Sequence, residues 1–250
     1  MPSARHDPSP EFSGCKRAVC IGINYRQGKE VKLNGSILDA GNIRDFLMRQ
    51  GYKADGIRML TDDTEKKPTK SNIIEAMSWL VQSAKPGDSL FLHYSGHGGC
   101  VPDQNGDETD GQDEVAFDLF QLRIYVKHWS ILYQLAVGSR HVPSYLPGID
   151  EVPNATLILP GSVRCKICWS GATDDQLCTD TPQGGLLTQP AGDLVKTFIK
   201  HLEEKPKQSY QELLHSIRKS VKHKAENQTP QLSSSHQIRV EMDRQLTVCH

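Results

Sequence analysis

The amino-acid sequence predicts an α/β fold in which a mostly parallel sheet is flanked by helices. Short apolar runs alternate with helical patterns through residues 16–99, and strands that are joined by helical crossovers run parallel with right-handed connections. The run Ala18–Ile23 is almost continuously apolar, as in a strand that is covered on both faces. The length of 250 residues lies within the range of one large domain of this class.

The elements can be predicted in order from apolar spacing and from capping, glycine and proline signals. In order, they are a strand over Lys16–Asn24, a helix from Ser36 to a stop at Gly51, a strand over Gly56–Leu60, a helix capped by Thr69 or Ser71 that ends near Pro86, and a third strand within Asp88–Gly99.

The second half of the chain has weaker signals. Alternation predicts a strand over Val163–Trp169, whereas the apolar stretch Trp129–Val137 predicts a helix. Two amphipathic helices follow, one through Leu194–Leu202 and one through Tyr210–Val221. The second is opened by a capping box at Ser209 and Glu212, and both helices are expected to pack against the sheet.

Composition narrows the possible functions. A net charge of −1 gives no basic excess, so no nucleic-acid partner is predicted. The N-terminal residues 1–14 have no apolar signal core, and no run is long enough to span a bilayer. A cytoplasmic protein without a membrane partner is therefore expected. Seven scattered cysteines are typical of reduced thiols, not of a disulfide framework, in a chain of this length.

His97 is the first candidate for a functional residue. It follows the apolar run of the third predicted strand, and Gly96, Gly98 and Gly99 surround it. Glycines allow a sharp turn and a close approach of the backbone to other groups. Sites in open parallel sheets lie at the carboxyl ends of the strands, so the imidazole is expected to be presented in that crevice. The simpler alternative is a histidine in an ordinary strand-to-loop turn.

An acidic segment, Asp103–Glu114, follows His97. Its residues partly match the spacing of an EF-hand, but Glu108 replaces the required glycine and no helix flanks the segment, so an EF-hand is excluded. The composition still suits a hard cation that prefers oxygen ligands. A solvated acidic loop that binds nothing tightly is the alternative.

Several motifs resemble those of type I metacaspases, which are caspase-like cysteine peptidases. The resemblance covers roughly residues 16–117 and 165–238. The matching motifs are Lys16–Tyr25, Leu33–Ala40, His93–Gly99, Trp169–Gln176, Gln208–Leu214 and Pro230–His236.

The resemblance implies a caspase-like fold and a calcium-dependent endopeptidase that cleaves peptides and proteins after Lys or Arg. His97 matches the histidine of a His–Cys dyad, in which an imidazole raises the thiolate fraction and later protonates the leaving amine. Asp39 matches an acidic residue in the pocket for the basic side chain, although its spacing from Ser36 also suits a capping box. Asp113 matches one calcium ligand.

The resemblance fails between the two matching halves. Residues 119–149 contain no acidic residue, so the aspartates expected to complete the calcium site are missing. The Asp-x-Cys-His-Ser-Gly motif, which closes the fourth strand and carries the nucleophile, occurs nowhere in the chain. Cys168 and Cys100 are the alternatives considered for the nucleophile. Cys165 and Cys168 form a Cys-x-x-Cys, but in a strand they point to opposite faces and are expected to be buried apolar residues instead of a zinc pair.

The predicted organisation is a disordered N-terminal remnant over 1–15 and one caspase-like domain over 16–250. The domain divides into a large-subunit-like half, 16–117, an irregular divergent segment, 118–162, and a small-subunit-like half, 163–250. A monomer is expected. Two functions follow: an active endopeptidase, as the motifs imply, or an inactive caspase-fold protein that binds substrates or partners. A lost exon or translated non-coding sequence in 118–162 would also produce the break.

Overall fold

The computed structural model describes residues 14–27, 32–85, 88–103, 112–120, 122–125, 132–137, 163–170, 193–222 and 229–234. The strands are β1 Lys16–Gly22, β2 Ile57–Thr61, β3 Ser89–Ser95, β4 Gly98–Pro102, β5 Gln112–Phe117, β6 Arg123–Tyr125, β7 Leu132–Val137, β8 Val163–Ser170 and β9 Gln231–Ser234. The helices are α1 Ser36–Arg49, α2 Lys70–Val81, α3 Asp193–Glu204 and α4 Tyr210–Lys222, and Ala54–Gly56 forms a 3-10 turn.

Two predictions from the sequence concern the N-terminal residues and membrane-spanning helices. The predicted disordered segment, 1–15, falls outside the described residues except for its last two positions. None of the helices in the described ranges is both long and apolar enough to cross a membrane.

One six-stranded sheet forms the centre of the molecule, with the strand order β2-β1-β3-β7-β8-β9. Strand β1 pairs in parallel with both β2 and β3. Strand β7 is antiparallel to β3, β8 to β7 and β9 to β8. Four strands therefore run in one direction and two in the other, which confirms the mostly parallel sheet. A separate antiparallel sheet, β4-β5-β6, begins immediately beyond the end of β3.

Helices cover both faces of the large sheet. Along β1, Val19 and Ile21 pack with α2, whereas Ala18 and Cys20 pack with α1, α3 and α4 on the opposite face. All four of these residues are fully buried. Since successive side chains of a strand point to opposite faces, a strand covered on both sides must be apolar at every position. The continuous apolar run in β1 is explained by this three-layer arrangement.

The predicted stop of α1 and cap of α2 are confirmed, whereas α2 ends at Val81, before the predicted end near Pro86. Helix α1 ends at Arg49, two residues before Gly51, whose φ of 82° is the left-handed conformation that favours glycine. Helix α2 is capped by Thr69, whose side-chain oxygen accepts a hydrogen bond from the Asn72 amide at 3.3 Å. Ser71 lies inside the helix. Thr69, one of the two predicted alternatives, is therefore the N-cap of α2.

The helix predicted over Trp129–Val137 is wrong, because the described part of this stretch is strand β7. On the side away from β1, the backbone amide and carbonyl groups of β3 are buried in the sheet and need hydrogen-bond partners. An apolar segment that contains Tyr133 and Val137 can satisfy them as a strand. Tertiary pairing has therefore overridden the local helical pattern.

The two C-terminal helices are confirmed, as is their packing on the sheet. Phe198 of α3 packs edge-on against Trp169 of β8, with 5.4 Å between ring centroids. The capping box of α4 is formed in both directions. The Glu212 carboxylate accepts a hydrogen bond from the Ser209 amide at 2.8 Å, and the Ser209 hydroxyl accepts one from the Glu212 amide at 3.2 Å.

The capping box leads to a testable pH dependence. Hydrogen bonds from Lys205 and then from Ser209 lower the pKa of Glu212 to about 2, against about 4.3 for an unperturbed glutamate. Because the folded pKa is the lower one, the stabilisation is complete above the unfolded value and is lost as the pH falls through the folded value. An NMR titration should give a midpoint near 2. Lys205→Ala should raise the midpoint, and an unchanged midpoint would contradict the assignment of Lys205 as the main cause.

Candidate functional site

The candidate site lies where the three parallel strands end side by side. Strands β1, β2 and β3 share one direction, so the residues that follow them meet at one edge of the sheet. These residues are Asn24 after β1, Asp62 after β2 and His97 after β3. Asn24 and Asp62 are buried, whereas His97 is half-buried. The prediction that His97 lies at the carboxyl edge of a parallel sheet is therefore confirmed.

Tyr25 contacts His97 in two ways. The rings of Tyr25 and His97 are stacked, with 4.5 Å between their centroids and 27° between their planes. The backbone amide of His97 also donates a hydrogen bond to the Tyr25 hydroxyl at 3.0 Å. Tyr25 itself is fully buried. The imidazole thus lies on a rigid aromatic surface, and its main chain is fixed by the same residue.

Tyr94 extends this contact into a buried cluster of hydroxyl groups. Its hydroxyl donates to the His97 carbonyl oxygen at 2.6 Å and lies 3.2 Å from the Tyr25 hydroxyl. Burial raises the pKa of Tyr25 to about 12 and that of Tyr94 well above its ordinary value. Both hydroxyls therefore stay protonated near neutral pH and serve as hydrogen-bond donors. The Tyr25 hydroxyl donates to the carbonyl oxygen of Phe117, the last residue of β5.

Gly96 is required by the two tyrosines. A Cβ atom at this position would lie 2.6 Å from the Tyr94 hydroxyl oxygen and 3.0 Å from that of Tyr25. Both rings are buried and cannot move aside easily. The glycine before His97 is thus explained by a close approach of the backbone to the tyrosine cluster.

We expect Gly96→Ala to lower the free energy of unfolding by about 2 kcal/mol, because it overpacks the cluster. Urea denaturation measures the change. Gly98→Ala is the matched control, since its nearest atom would be the Val115 carbonyl oxygen at an ordinary 3.4 Å, and it should change stability by no more than about 0.5 kcal/mol. Equal effects of the two substitutions would contradict the explanation.

Asp39 lies at the same edge, on the first turn of α1. It is 4% exposed, and its carboxylate lies 3.5 Å from the hydroxyl of Ser95, two residues before His97. The capping box predicted for Ser36 and Asp39 is wrong, since the N-cap is Gly35 and makes no side-chain bond. The carboxylate is directed to the end of β3 instead. Its proposed role in binding a basic side chain stays a prediction.

Asn24 caps the N-terminus of α1. Its side-chain oxygen accepts a hydrogen bond from the Ile37 amide at 3.2 Å. Its own backbone amide donates to the Asp62 carboxylate at 2.9 Å. The amide of Arg26 donates to the second oxygen of the same carboxylate at 3.0 Å. Asp62 therefore holds the chain on both sides of Tyr25, and Asn24 connects that chain to the helix that carries Asp39.

The predicted calcium ligand Asp113 lies on β5, opposite Val101 of β4 in the register. Most of the acidic segment, residues 104–111, lies outside the described residues. Within the described ranges, no group of three or more acidic, histidine or cysteine side chains is arranged to hold a metal ion. Calcium binding at this segment stays a prediction.

The cysteines with described side chains do not serve the site. Cys20 pairs with His93 in the sheet register and is fully buried, and burial raises its pKa to about 12. Such a thiol is not ionised near neutral pH. Cys15 is exposed but precedes β1, at the opposite edge of the sheet. Cys100 lies on β4 and Cys168 on β8.

Sequence reasoning identified His97 and Asp39 but missed the residues that hold them. Tyr25 is the last residue of a matching motif, and Asp62 belongs to none of the motifs. A positional signal was available: polar residues that follow neighbouring parallel strands meet at the same edge. It would have singled out Asn24 and Asp62 together with His97. No comparable sequence signal marks the position of Tyr94, which depends on tertiary contacts.

Comparisons with known proteins agree with this fold. Residues 16–121 match the metacaspase, peptidase C14 domain family. Metacaspase-1 of Cryptococcus neoformans is 36% identical over 295 positions, which cover 90% of this chain and 64% of that protein. Metacaspase-1A of Neurospora crassa is 35% identical over 92% of this chain and 65% of its own length. Metacaspase-1B of Aspergillus fumigatus is 32% identical over 93% of this chain and 73% of its own length.

A solved structure is similar in fold. The crystal structure of a Geobacter sulfurreducens protein matches with a TM-score of 0.58 and 18% identity, and the match covers 91% of this chain and 96% of that one. The combined likeness defines a caspase-like peptidase domain. The chain belongs to the metacaspase family, in its type I branch.

This chain is shorter than the relatives it matches. It spans 64–65% of the length of the Cryptococcus and Neurospora proteins. The alignment with the Cryptococcus protein has 295 positions, but it includes only 90% of the 250 residues of this chain. About 70 aligned positions are therefore gaps in this chain. The Cryptococcus protein thus has about 70 residues within the aligned region that have no counterpart in this chain.

Proposed function

We propose that this chain is a metacaspase-fold protein that binds peptides containing Lys or Arg and does not hydrolyse them. His97 and Asp39 form the retained half of the site, and the cysteine that should complete a dyad is missing. Calcium binding by the acidic segment 103–114, with Asp113 as one ligand, is part of this proposal. The activity and substrates of the longer relatives are not assigned to this chain, because the segment that carries the nucleophile motif is missing from it.

The observation that carries the proposal is the identity of the strand beside β3. Its neighbour away from β1 is β7, which runs antiparallel, with Leu132 opposite His93. A nucleophile that closes a parallel fourth strand would lie at the carboxyl edge, beside His97. Strand β7 instead brings its first residue to that edge. No residue between Cys100 and Cys165 is a cysteine, and the about 70 residues without a counterpart further support the loss.

The retained carboxylate supports peptide binding. Asp39 lies beside Ser95, close to the end of β3, and is almost completely buried. A buried carboxylate at a site edge attracts a guanidinium or ammonium group, since a charge-assisted hydrogen bond is stronger than a neutral one. Basic peptides are therefore the ligand class that this half-site suits.

A second candidate function is an active cysteine endopeptidase that uses Cys168. Strand β8 is parallel to β3, and Cys168 pairs with Tyr133, which in turn pairs with Leu92. Two strand spacings, about 10 Å, thus separate the backbones of Cys168 and Leu92. This separation is wide for a thiol that must contact an imidazole, which favours the inactive protein.

Two assays on the whole chain separate the candidates. Fluorescence anisotropy measures binding of an Arg-containing peptide, and a fluorogenic version of the same peptide measures cleavage, each with calcium and with a chelator. We expect binding without cleavage. Cleavage that a thiol alkylator and His97→Ala both abolish would overturn the inactive assignment, and its loss in Cys168→Ala would establish the second candidate.

The variant Asp39→Asn tests the proposed binding of basic peptides. It keeps the shape and removes the charge, so the dissociation constant for the Arg peptide should rise by about tenfold or more. Asp45→Asn is the matched control, because Asp45 is an exposed residue of the same helix that pairs with Arg44 at 2.7 Å. Equal affinities of the two variants for the peptide would contradict a role of Asp39 in binding.

The break at residues 118–162 has a separate test. Sequencing the transcript decides whether this stretch is translated in frame. We expect an in-frame message, because β7 and the start of the segment at Asp118 are integrated into the fold. A transcript with a different or longer segment that contains the Asp-x-Cys-His-Ser-Gly motif would restore the active peptidase.

A further inference from the structure

Tyr25 has an unusual backbone conformation. Its φ of 55° places it in the left-handed region, which costs a residue with a side chain about 1 kcal/mol or more. Tyr25 is also fully buried and directly contacts His97. A strained residue at the edge of a site needs a surrounding structure that holds it in place.

The Asp62 carboxylate supplies that support. Its two oxygens accept hydrogen bonds from the amides of Asn24 and Arg26, at 2.9 and 3.0 Å. These amides belong to the residues directly before and after Tyr25. Backbone amides that converge around a left-handed residue form a concave anion-binding arrangement. The carboxylate is 4% exposed, so water competes little for these bonds.

We infer that Asp62 and Tyr25 are positioning residues for His97. The carboxylate stabilises the left-handed turn, the turn presents the Tyr25 ring, and the ring and hydroxyl fix the imidazole and the His97 amide. Tyr25 thus acts directly on His97, and Asp62 acts through Tyr25. The use of His97 in peptide binding rests on the proposed function, whereas its placement by these two residues does not.

The neighbouring aspartate makes a matched control available. Asp63 is exposed and pairs with the Arg26 side chain at 3.1 Å. It makes no contact with the backbone amides that flank Tyr25 in the described structure. Asp62→Asn and Asp63→Asn are thus the same chemical change at adjacent positions, and only the first alters the arrangement around Tyr25.

NMR spectroscopy of the ligand-free protein tests the inference. A ring stacked at 4.5 Å shifts the imidazole protons of His97 upfield. We expect Asp62→Asn to lose most of this upfield shift although the Tyr25 ring is still present, and Asp63→Asn to keep it. Thermal unfolding establishes that both variants are folded. An unchanged His97 spectrum in folded Asp62→Asn would overturn the role of Asp62.

Two Tyr25 variants separate the ring from the hydroxyl. Tyr25→Phe should keep the upfield shift and increase amide hydrogen exchange at His97 by about tenfold, because one hydrogen-bond acceptor is lost. Tyr25→Leu should lose the upfield shift. If Tyr25→Leu retains the shift, the stacking assignment is wrong, whatever the outcome of the peptide-binding assay. Failure of the peptide to bind, with these spectra as expected, would count against the proposed function alone.

Discussion

Replacement of Asp118 by alanine should destabilise the protein by about 4 kcal/mol, the largest effect expected for any single side chain here. Asp118 is completely buried and directly follows β5. Its carboxylate accepts hydrogen bonds from three backbone amides, those of Lys70, Phe120 and Leu122, at 2.7–2.9 Å. Alanine leaves these three donors without their acceptor.

The effect should reach the site, because Asp118 follows the residue that ties β5 to His97. The Phe117 amide donates to the His97 carbonyl oxygen at 3.1 Å. Urea denaturation measures the loss. Asp118→Asn keeps one carbonyl oxygen and should cost about half as much, whereas the exposed Asp63→Ala should change stability by about 0.5 kcal/mol or less. A loss in Asp118→Ala no larger than that in Asp63→Ala would refute the assignment.

Replacement of Gly22 by alanine is expected to have the next largest effect, a loss of about 3 kcal/mol from overpacking. The new Cβ would lie 2.9 Å from the Ile37 Cα atom and in direct collision with the Ser36 carbonyl oxygen. Both obstacles are backbone atoms of the first turn of α1, so relief requires the helix to move. That turn carries Asp39, and its displacement should weaken binding of the Arg peptide as well.

Gly41 offers a control for the same substitution in the adjacent helix. A Cβ atom at Gly41 would meet nothing within 4 Å, and alanine is the better helix former by about 0.5–1 kcal/mol. We therefore expect Gly41→Ala to raise the free energy of unfolding while Gly22→Ala lowers it. Thermal unfolding of both variants gives the sign directly. Destabilisation by both would show that the close approach at Gly22 is not the cause.

The order of the first five elements could be predicted from the sequence because each carries a local signal. The apolar runs, the stop at Gly51 and the cap at Thr69 each depend only on residues that are close to them in the chain. Strand β7 could not be predicted in the same way. Its pattern fits a helix as well as a strand, and only the unpaired edge of β3 decides between them.

The candidate site was predictable only in part for a similar physical reason. His97 has glycine neighbours in the chain, and its place after an apolar strand indicates an exposed edge. The cap of α1 instead comes from Asn24, which is distant in sequence, so the local Ser36–Asp39 spacing gave the wrong partner. The left-handed turn at Tyr25 depends likewise on Asp62, which belongs to another strand end.

We propose that this chain hydrolyses no peptide because its sequence lacks the Asp-x-Cys-His-Ser-Gly motif, and the rate of alkylation of each cysteine as a function of pH tests this proposal. Mass spectrometry of iodoacetamide-treated protein and of His97→Ala gives these rates, with exposed Cys15 and buried Cys20 as internal standards. Cys20 should not react in the folded protein, because burial raises its pKa to about 12. We expect that no cysteine changes the pH dependence of its alkylation rate in His97→Ala. A cysteine that reacts as a thiolate well below pH 8 in the native chain, and loses that reactivity without His97, would contradict it.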